Sequence, residues 1–226
     1  MPAGVNVRRA WRTLERMKRS HVPPKAHWEK VYETKAPDAV SWFAPHLAES
    51  LAYIARTGVP KTAAIVDVGG GESTLVDDLL DAGYEDGTVM DISGRALEVC
   101  RARLGDRARR ATWIEGDVLR HRFAPASVDV WHDRAVFHFL TSPADRDAYV
   151  AQVMGALRPG GWCIVGTFGP QGPEECSGLP VARYDAESLH EQFGAPFTLV
   201  ESHLGVHTTP WGAPQQFVYC FCRRQA

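Results

Sequence analysis

VDVGGGESTLVDDLL, residues 66–80, is an apolar run that ends in three glycines and then continues with helical spacing. AAIVDV (63–68) reads as a buried strand, and STLVDDLLDAG (73–83) as a helix stopped by Gly83. A glycine-rich turn between a strand and a helix leaves main chain bare. A ligand can then touch the backbone and the free amides of the helix N-terminus. The turn therefore suggests a nucleotide-type site between the first strand and its helix.

Downstream the pattern alternates. TVMDI (88–92), ATWIEGDV (111–118), SVDVWHD (127–133) and WCIVGTF (162–168) read as strands. SGRALEVCRARLG (93–105) reads as a helix, and so does SPADRDAYVAQVMGALRPGG (142–161), which enters on Ser-Pro and leaves in a Pro-Gly-Gly turn. Such units predict right-handed crossovers and a parallel sheet with helices on both faces. After residue 168 the rhythm breaks. GPQGPEECSGLP (169–180) is a long Gly/Pro loop, and DAESLHEQFG (185–194) a short helix with Asp185 at its N-cap. FTLVESHLGVHTT and QQFVYCFC, joined by PWGAP, predict a hairpin and hence an antiparallel edge on a Rossmann-like open sheet.

The 226 residues suit one domain, with 45% hydrophobic and 23% charged residues to build a core and its surface. A net charge of −2 gives no electrostatic case for nucleic acid, and no apolar run approaches a membrane span. Five thinly spread cysteines form neither a disulfide framework nor a zinc site, so no metal is expected. Residues 1–24 read as a flexible basic arm, 25–45 as an N-terminal lid segment, and 60–226 as the core. The arginine- and alanine-rich composition points to a GC-rich bacterial genome and a cytoplasmic protein.

In an open α/β sheet, ligands sit beyond the C-terminal strand ends. Asp91 closes the second strand, about 20 residues past the glycines, where a carboxylate grips ribose hydroxyls. The dinucleotide form G-x-G-x-x-G would need a glycine where Thr74 stands. A plain capping role for Asp91 and Asp117, a nicotinamide dehydrogenase, and a nucleotide-binding module without turnover all stay open at this point.

The combination Asp67-x-Gly69-x-Gly71, then Asp91, Asp117, WHDRAVFHF after strand four and LRPGGWCIV before strand five, resembles the class I S-adenosylmethionine-dependent methyltransferases. The resemblance covers residues 63–168 closely and the terminal hairpin in layout. It implies S-adenosyl-L-methionine as cofactor and a sheet of about seven strands, the last one antiparallel. Asp67, Gly69, Gly71 and Ser73 would shape the methionine end of the pocket. Asp91 would bind the ribose with Ile92 against the adenine, and Asp117 the adenine amino group with Val118 beside it. His132 and Asp133 would face methyl transfer.

Upstream, Trp28 and Tyr32 stand four apart on one helix face, followed by Trp42 and Phe43. They are expected either to pack on the sheet edge or to form a lid over the sulfonium cofactor. This segment, WHDRA and GPEECSGLPV resemble the thiopurine S-methyltransferase-like group. The layout is also similar to compact lysine methyltransferases of elongation factor or citrate synthase. A small-molecule acceptor, a thiol or other soft nucleophile, is expected first and a protein lysine second. Asp133 and His132 are the expected proton-handling residues, with His138 behind them. Asp133 paired to Arg134, a solvated Glu72, an exposed Cys176 and a loop-bracing Arg183 and Tyr184 are the plain structural expectations.

Overall fold

A computed structural model describes residues 24–226; the basic arm predicted for the first residues falls, up to residue 23, outside the described part. The described part opens with α1 (Pro24–Thr34) and α2 (Ala48–Arg56) and then enters the alternating part. This comprises β1 (Ala64–Val68), α3 (Leu75–Asp81), β2 (Asp86–Asp91), α4 (Gly94–Leu104), β3 (Ala111–Glu115) and β4 (Val128–Arg134). It continues through α5 (Pro143–Ala156), β5 (Leu157–Phe168), a small ribbon of β6 (Glu175–Cys176) and β7 (Leu179–Pro180), and α6 (Ala186–Phe193). β8 (Phe197–Thr208) and β9 (Pro214–Arg224) close it.

Seven strands form one sheet in the order β3-β2-β1-β4-β5-β9-β8. The first five are mutually parallel, and β9 runs antiparallel between β5 and β8. The chain steps outward from β1 to β3 and returns to β4, so the switch point lies between β1 and β4. The predicted sheet and its antiparallel ending are observed. Two local expectations change. The Pro-Gly-Gly turn is a bulge at the start of β5, where the register slips between Val128 and Val130 and Gly160 has φ +76°. The Gly/Pro loop after β5 contains the β6–β7 ribbon.

Caps define the helices as the sequence indicates. Ser93 Oγ accepts from Ala96 N (3.2 Å) and Ser142 Oγ from Asp145 N (3.1 Å). Asp185 and Ser188 form a reciprocal capping box. Successive strand residues face opposite sides, which splits the core into two layers. Trp131, Val165 and Cys220 face Tyr149 and Val153 of α5 and Leu189 and Phe193 of α6. Ile65, Val130, Ile164 and Phe221 face Ile54 of α2 and Leu75 and Leu79 of α3. No helix among the described residues is long and apolar enough to cross a membrane.

Candidate active site

The glycine turn is anchored to its neighbour strand. Gly69 N and Gly70 N donate to Met90 O at 2.7 and 3.1 Å, which sets the loop over the ends of β1 and β2. Gly69 and Gly71 have φ of +66° and +47°, in the left-handed region. A Cβ on Gly69 would sit 1.9 Å from Val136 Cγ2, and one on Gly71 2.7 Å from the Tyr32 hydroxyl and 3.1 Å from Asp91 Oδ2. The sequence is bare here because side chains from three other elements converge on the loop.

Asp91 is 6% exposed, and its Oδ1 accepts from Ser93 N at 2.8 Å. Burial pushes its carboxyl up to about 7, against the bonds it accepts from the Ser93 and Gly71 amides. Gly116 N donates to Asp91 O (2.9 Å), so the turn carrying Asp117 hangs on the end of β2. Asp117 Oδ1 accepts from Leu119 N at 2.9 Å and Oδ2 lies 3.4 Å from Arg120 Nε. The capping role is thus occupied, while the carboxylate stays half-exposed at the same sheet edge. Ile92 is half-buried and Val118 packs in the core beside this edge. Ser73 Oγ accepts from Leu75 N at 3.1 Å at the entry to α3.

On β4, neighbours part company. His132 pairs with Asp67 across the sheet, and Asp133 with Val68. His132 Nδ1 lies 2.7 Å from Asp67 Oδ1, both side chains buried. A carboxylate only accepts, so Nδ1 carries the hydrogen and Nε2 presents its lone pair. That Nε2 has no protein partner. Asp133 points to the opposite face. Its oxygens accept from Val136 N (2.9 Å), Phe137 N (3.1 Å) and the Tyr149 hydroxyl, and Trp131 Nε1 donates to the same hydroxyl (2.9 Å). The residue is fully buried, and burial raises its carboxyl to about 6. Arg134 is not its ion-pair partner, contrary to the structural expectation. Arg134 donates to Tyr219 Oη and Trp42 O and lies over the Phe217 ring, on the His132 side of the sheet.

His132, Asp67, Gly69, Gly70, Glu72, Ser73 and Arg134 line one cleft with Pro37, Val40, Trp42 and Phe43. Glu72, expected in solvent, is 5% exposed and lines this cleft with both carboxylate oxygens unpartnered. Its position inside the glycine turn was the available signal, since a residue between the strand end and α3 faces whatever the turn faces.

The N-terminal aromatics close over the turn. Trp28 lies 6.1 Å from Tyr32, 5.9 Å from Trp42 and 5.1 Å from Phe139, ring centroid to centroid. Glu29 accepts from Gly94 N at 2.9 Å and Lys25 pairs with Glu115, which pins α1 to the β2–β3 edge. Neither tie was visible in the sequence, because each joins residues far apart in the chain. Cys176 is buried, not solvent-facing, and burial raises its thiol. Arg183 braces the loop through Glu174 (2.8 Å) and Gly172 O (3.2 Å), as expected. His138 is fully buried between Phe139 and Phe168, its ring nitrogens unpartnered, and burial holds it down at about 3.

A family model described as a methyltransferase domain matches residues 65–161. The "eEF1A lysine and N-terminal methyltransferase" of Bos taurus is 26% identical over 141 residues, 60% of this chain and 20% of that protein. The "Malonyl-[acyl-carrier protein] O-methyltransferase" of Halalkalibacterium halodurans is 29% identical over 51% of this chain and 42% of that protein. This chain therefore spans about a fifth to two fifths of the length of these relatives. Among solved structures, the protein from work on conversion of a disulfide bond into a thioacetal group during echinomycin biosynthesis superposes with a TM-score of 0.72. It is 17% identical, with 88% of this chain and 90% of that one covered. The Burkholderia thailandensis 1,6-didemethyltoxoflavin-N1-methyltransferase, with S-adenosylhomocysteine bound, superposes with a TM-score of 0.64, 19% identity, and 100% and 94% coverage. The bare glycine cradle, the acidic end of β2 and an unpartnered carboxylate in the cleft suit a nucleoside ligand with a cationic tail. With the strand order 3-2-1-4-5 and an antiparallel last strand, the chain shares the fold of these S-adenosylmethionine-dependent methyltransferase structures, and its residues 65–161 match the methyltransferase domain.

Proposed function

We propose that this chain methylates a small-molecule acceptor, a thiol or other soft nucleophile, and that His132 takes the acceptor's proton. In this reading S-adenosyl-L-methionine is the cofactor and supplies an electrophilic methyl on a sulfonium, and the protein's task is alignment and proton removal. The observation that carries the reading is the Asp67–His132 pair. Asp67 fixes the tautomer and orientation of the imidazole, and Nε2, buried and without a protein partner, belongs to a side chain that lines the cleft. A module that only sensed a nucleotide would have no use for that lone pair. Asp91 and Asp117, with Ile92 and Val118, hold the adenosine in this account. Gly69, Gly71 and Ser73 leave room for the methionine end, and Trp28 and Tyr32 cover it. Asp133 is assigned a positioning role: its oxygens hold the amides of Val136 and Phe137, and Val136 shapes the turn around Gly69.

A small acceptor is supported by the space beside the cleft. A cavity of ≈ 170 Å³ lies between α2 and the β8–β9 hairpin and shares Ala44, Leu47 and Arg134 with the cofactor cleft. An engineered cavity of about 150 Å³ holds benzene, so this one suits a molecule of that order. Its walls include His207, Tyr219 and Ser50, whose Oγ is buried without a partner. The sulfur chemistry named for the echinomycin structure supports a soft nucleophile. A protein lysine is the second reading, favoured by the eEF1A lysine methyltransferase relatives.

A screen tests the choice. The chain is incubated with methyl-labelled S-adenosylmethionine and panels of small thiols, acids and amines, and separately with whole-cell protein extract. Label in the small-molecule panels supports the proposal, and label confined to protein supports the lysine reading.

A further inference from the structure

Glu72 lines the site, and Arg103 and Arg95 act on its charge only from a distance, with no hydrogen bond to it. The side chain is 5% exposed and neither oxygen has a hydrogen-bond partner. A carboxylate taken out of water without a donor is costly, so a buried one implies a partner supplied from elsewhere. Its main chain is held in place. Its own carbonyl accepts from Arg103 Nη1 at 2.8 Å, and the next residue's amide donates to Gly70 O at 2.7 Å. Arg103 and Arg95 favour its charged form through space, but the Arg103 guanidinium spends its hydrogen bonds on main-chain oxygens and on Asp77. The other carboxylate at the head of the turn, Asp67, is taken by His132.

We infer that Glu72 is the seat of the α-ammonium group of S-adenosylmethionine, held through charge-assisted hydrogen bonds to its two free oxygens. The inference rests on the cofactor assignment and adds a residue to it. A cationic donor with several hydrogens satisfies both buried carboxylate oxygens and their charge at once, with hydrogen bonds about twice as strong as neutral ones. The cofactor carries two positive centres. Its sulfonium has no hydrogen to donate and is suited instead to aromatic faces such as those of Tyr32 and Trp42. Its ammonium has three hydrogens and stands at the far end from the ribose. Glu72 likewise lies one residue beyond Gly71, on the side of α3, whereas Asp91 closes β2.

Titration calorimetry on the full chain tests this with three probes: S-adenosylmethionine, S-adenosylhomocysteine and 5′-methylthioadenosine, the nucleoside thioether without the amino-acid tail. Glu72→Gln keeps the shape and removes the charge. It is expected to weaken both tailed ligands by about tenfold or more and 5′-methylthioadenosine by less than about twofold. Unchanged affinity for the tailed ligands, or equal loss for all three probes, overturns the inference. So does a much larger loss for S-adenosylmethionine than for S-adenosylhomocysteine, which would place the sulfonium at Glu72. Should Glu72→Gln not fold, the deaminated analogue of S-adenosylhomocysteine on the wild type carries the same test. It is expected to bind about tenfold or more weaker than the parent, and equal binding overturns the inference. If the wild type binds none of the nucleosides, the cofactor assignment itself fails.

Discussion

The contrast between His132 and Asp133 shows how much one step along a strand decides. They are adjacent in sequence, yet one faces the cleft and the other faces Tyr149. Asp133→Asn replaces an acceptor of three internal bonds with a group that must donate on one side. The loss is expected to be about 1–3 kcal/mol of stability, read as a lower melting temperature, with S-adenosylhomocysteine affinity nearly unchanged. Normal stability with lost turnover would instead return Asp133 to the chemistry. Asp91 gives a second test. Burial raises its carboxyl to about 7, and ribose hydroxyls prefer the ionised form. Cofactor binding must therefore expel a proton below that pH. Affinity for S-adenosylhomocysteine is expected to rise with pH, by up to about tenfold per unit for each of Asp91 and Glu72, and to level off above about 7. A flat profile in the wild type would contradict this, and Asp91→Asn should reduce the slope to the part that Glu72 contributes.

Elements make the site by convergence. The glycine turn belongs to β1 and α3, but its shape is read by Val136 from beyond β4 and Tyr32 from α1. Gly69→Ala would force a Cβ into a left-handed residue and onto Val136 Cγ2. We expect a cost of about 1–3 kcal/mol in thermal or denaturant unfolding, partly relieved by adding Val136→Ala. No relief in the double variant would mean that backbone strain, not the overlap, dominates. The α1 segment is the second convergent part. The cleft beneath it encloses only ≈ 30 Å³, against roughly 300–1,000 Å³ for a site that takes a small molecule. The segment from residue 25 to 45 should therefore yield to admit the cofactor and re-form over it. Hydrogen exchange is expected to slow there with S-adenosylhomocysteine bound, and Glu29→Ala should speed it in the free chain by removing the tie to Gly94. Equal exchange with and without ligand would leave these aromatics a packing role alone.

At the scale of the whole molecule, three buried carboxyls share one consequence. Asp91 and Glu72 are raised to about 7 and Asp133 to about 6, each chiefly by burial. Between the ordinary carboxylate range and those values the folded state binds more protons than the unfolded one, so their contribution to stability is lost as pH rises. The free chain is expected to melt higher near about pH 5 than near about pH 8, and Glu72→Gln should reduce the difference. A melting temperature that climbs over this range would contradict the burial of these groups. The sheet was legible in the sequence because apolar strands, glycine stops and Ser or Asp caps are local signals, and the order of acidic strand ends followed from them. Glu72, the Glu29–Gly94 tie and the opposite aims of His132 and Asp133 were not, because pairing across strands and burial by a distant helix leave no local mark. The same limit explains Cys176, which a loop composition placed at the surface and the ribbon buries.

The central claim is that His132, held by Asp67, takes the acceptor's proton during methyl transfer to a small molecule. Its most direct test is single-turnover methylation of an acceptor found in the screen, with S-adenosylhomocysteine affinity measured on the same preparations. His132→Gln is expected to slow transfer by about 10²-fold or more while cofactor affinity and melting temperature change little. Transfer at the wild-type rate in a folded, cofactor-binding His132→Gln would contradict the account.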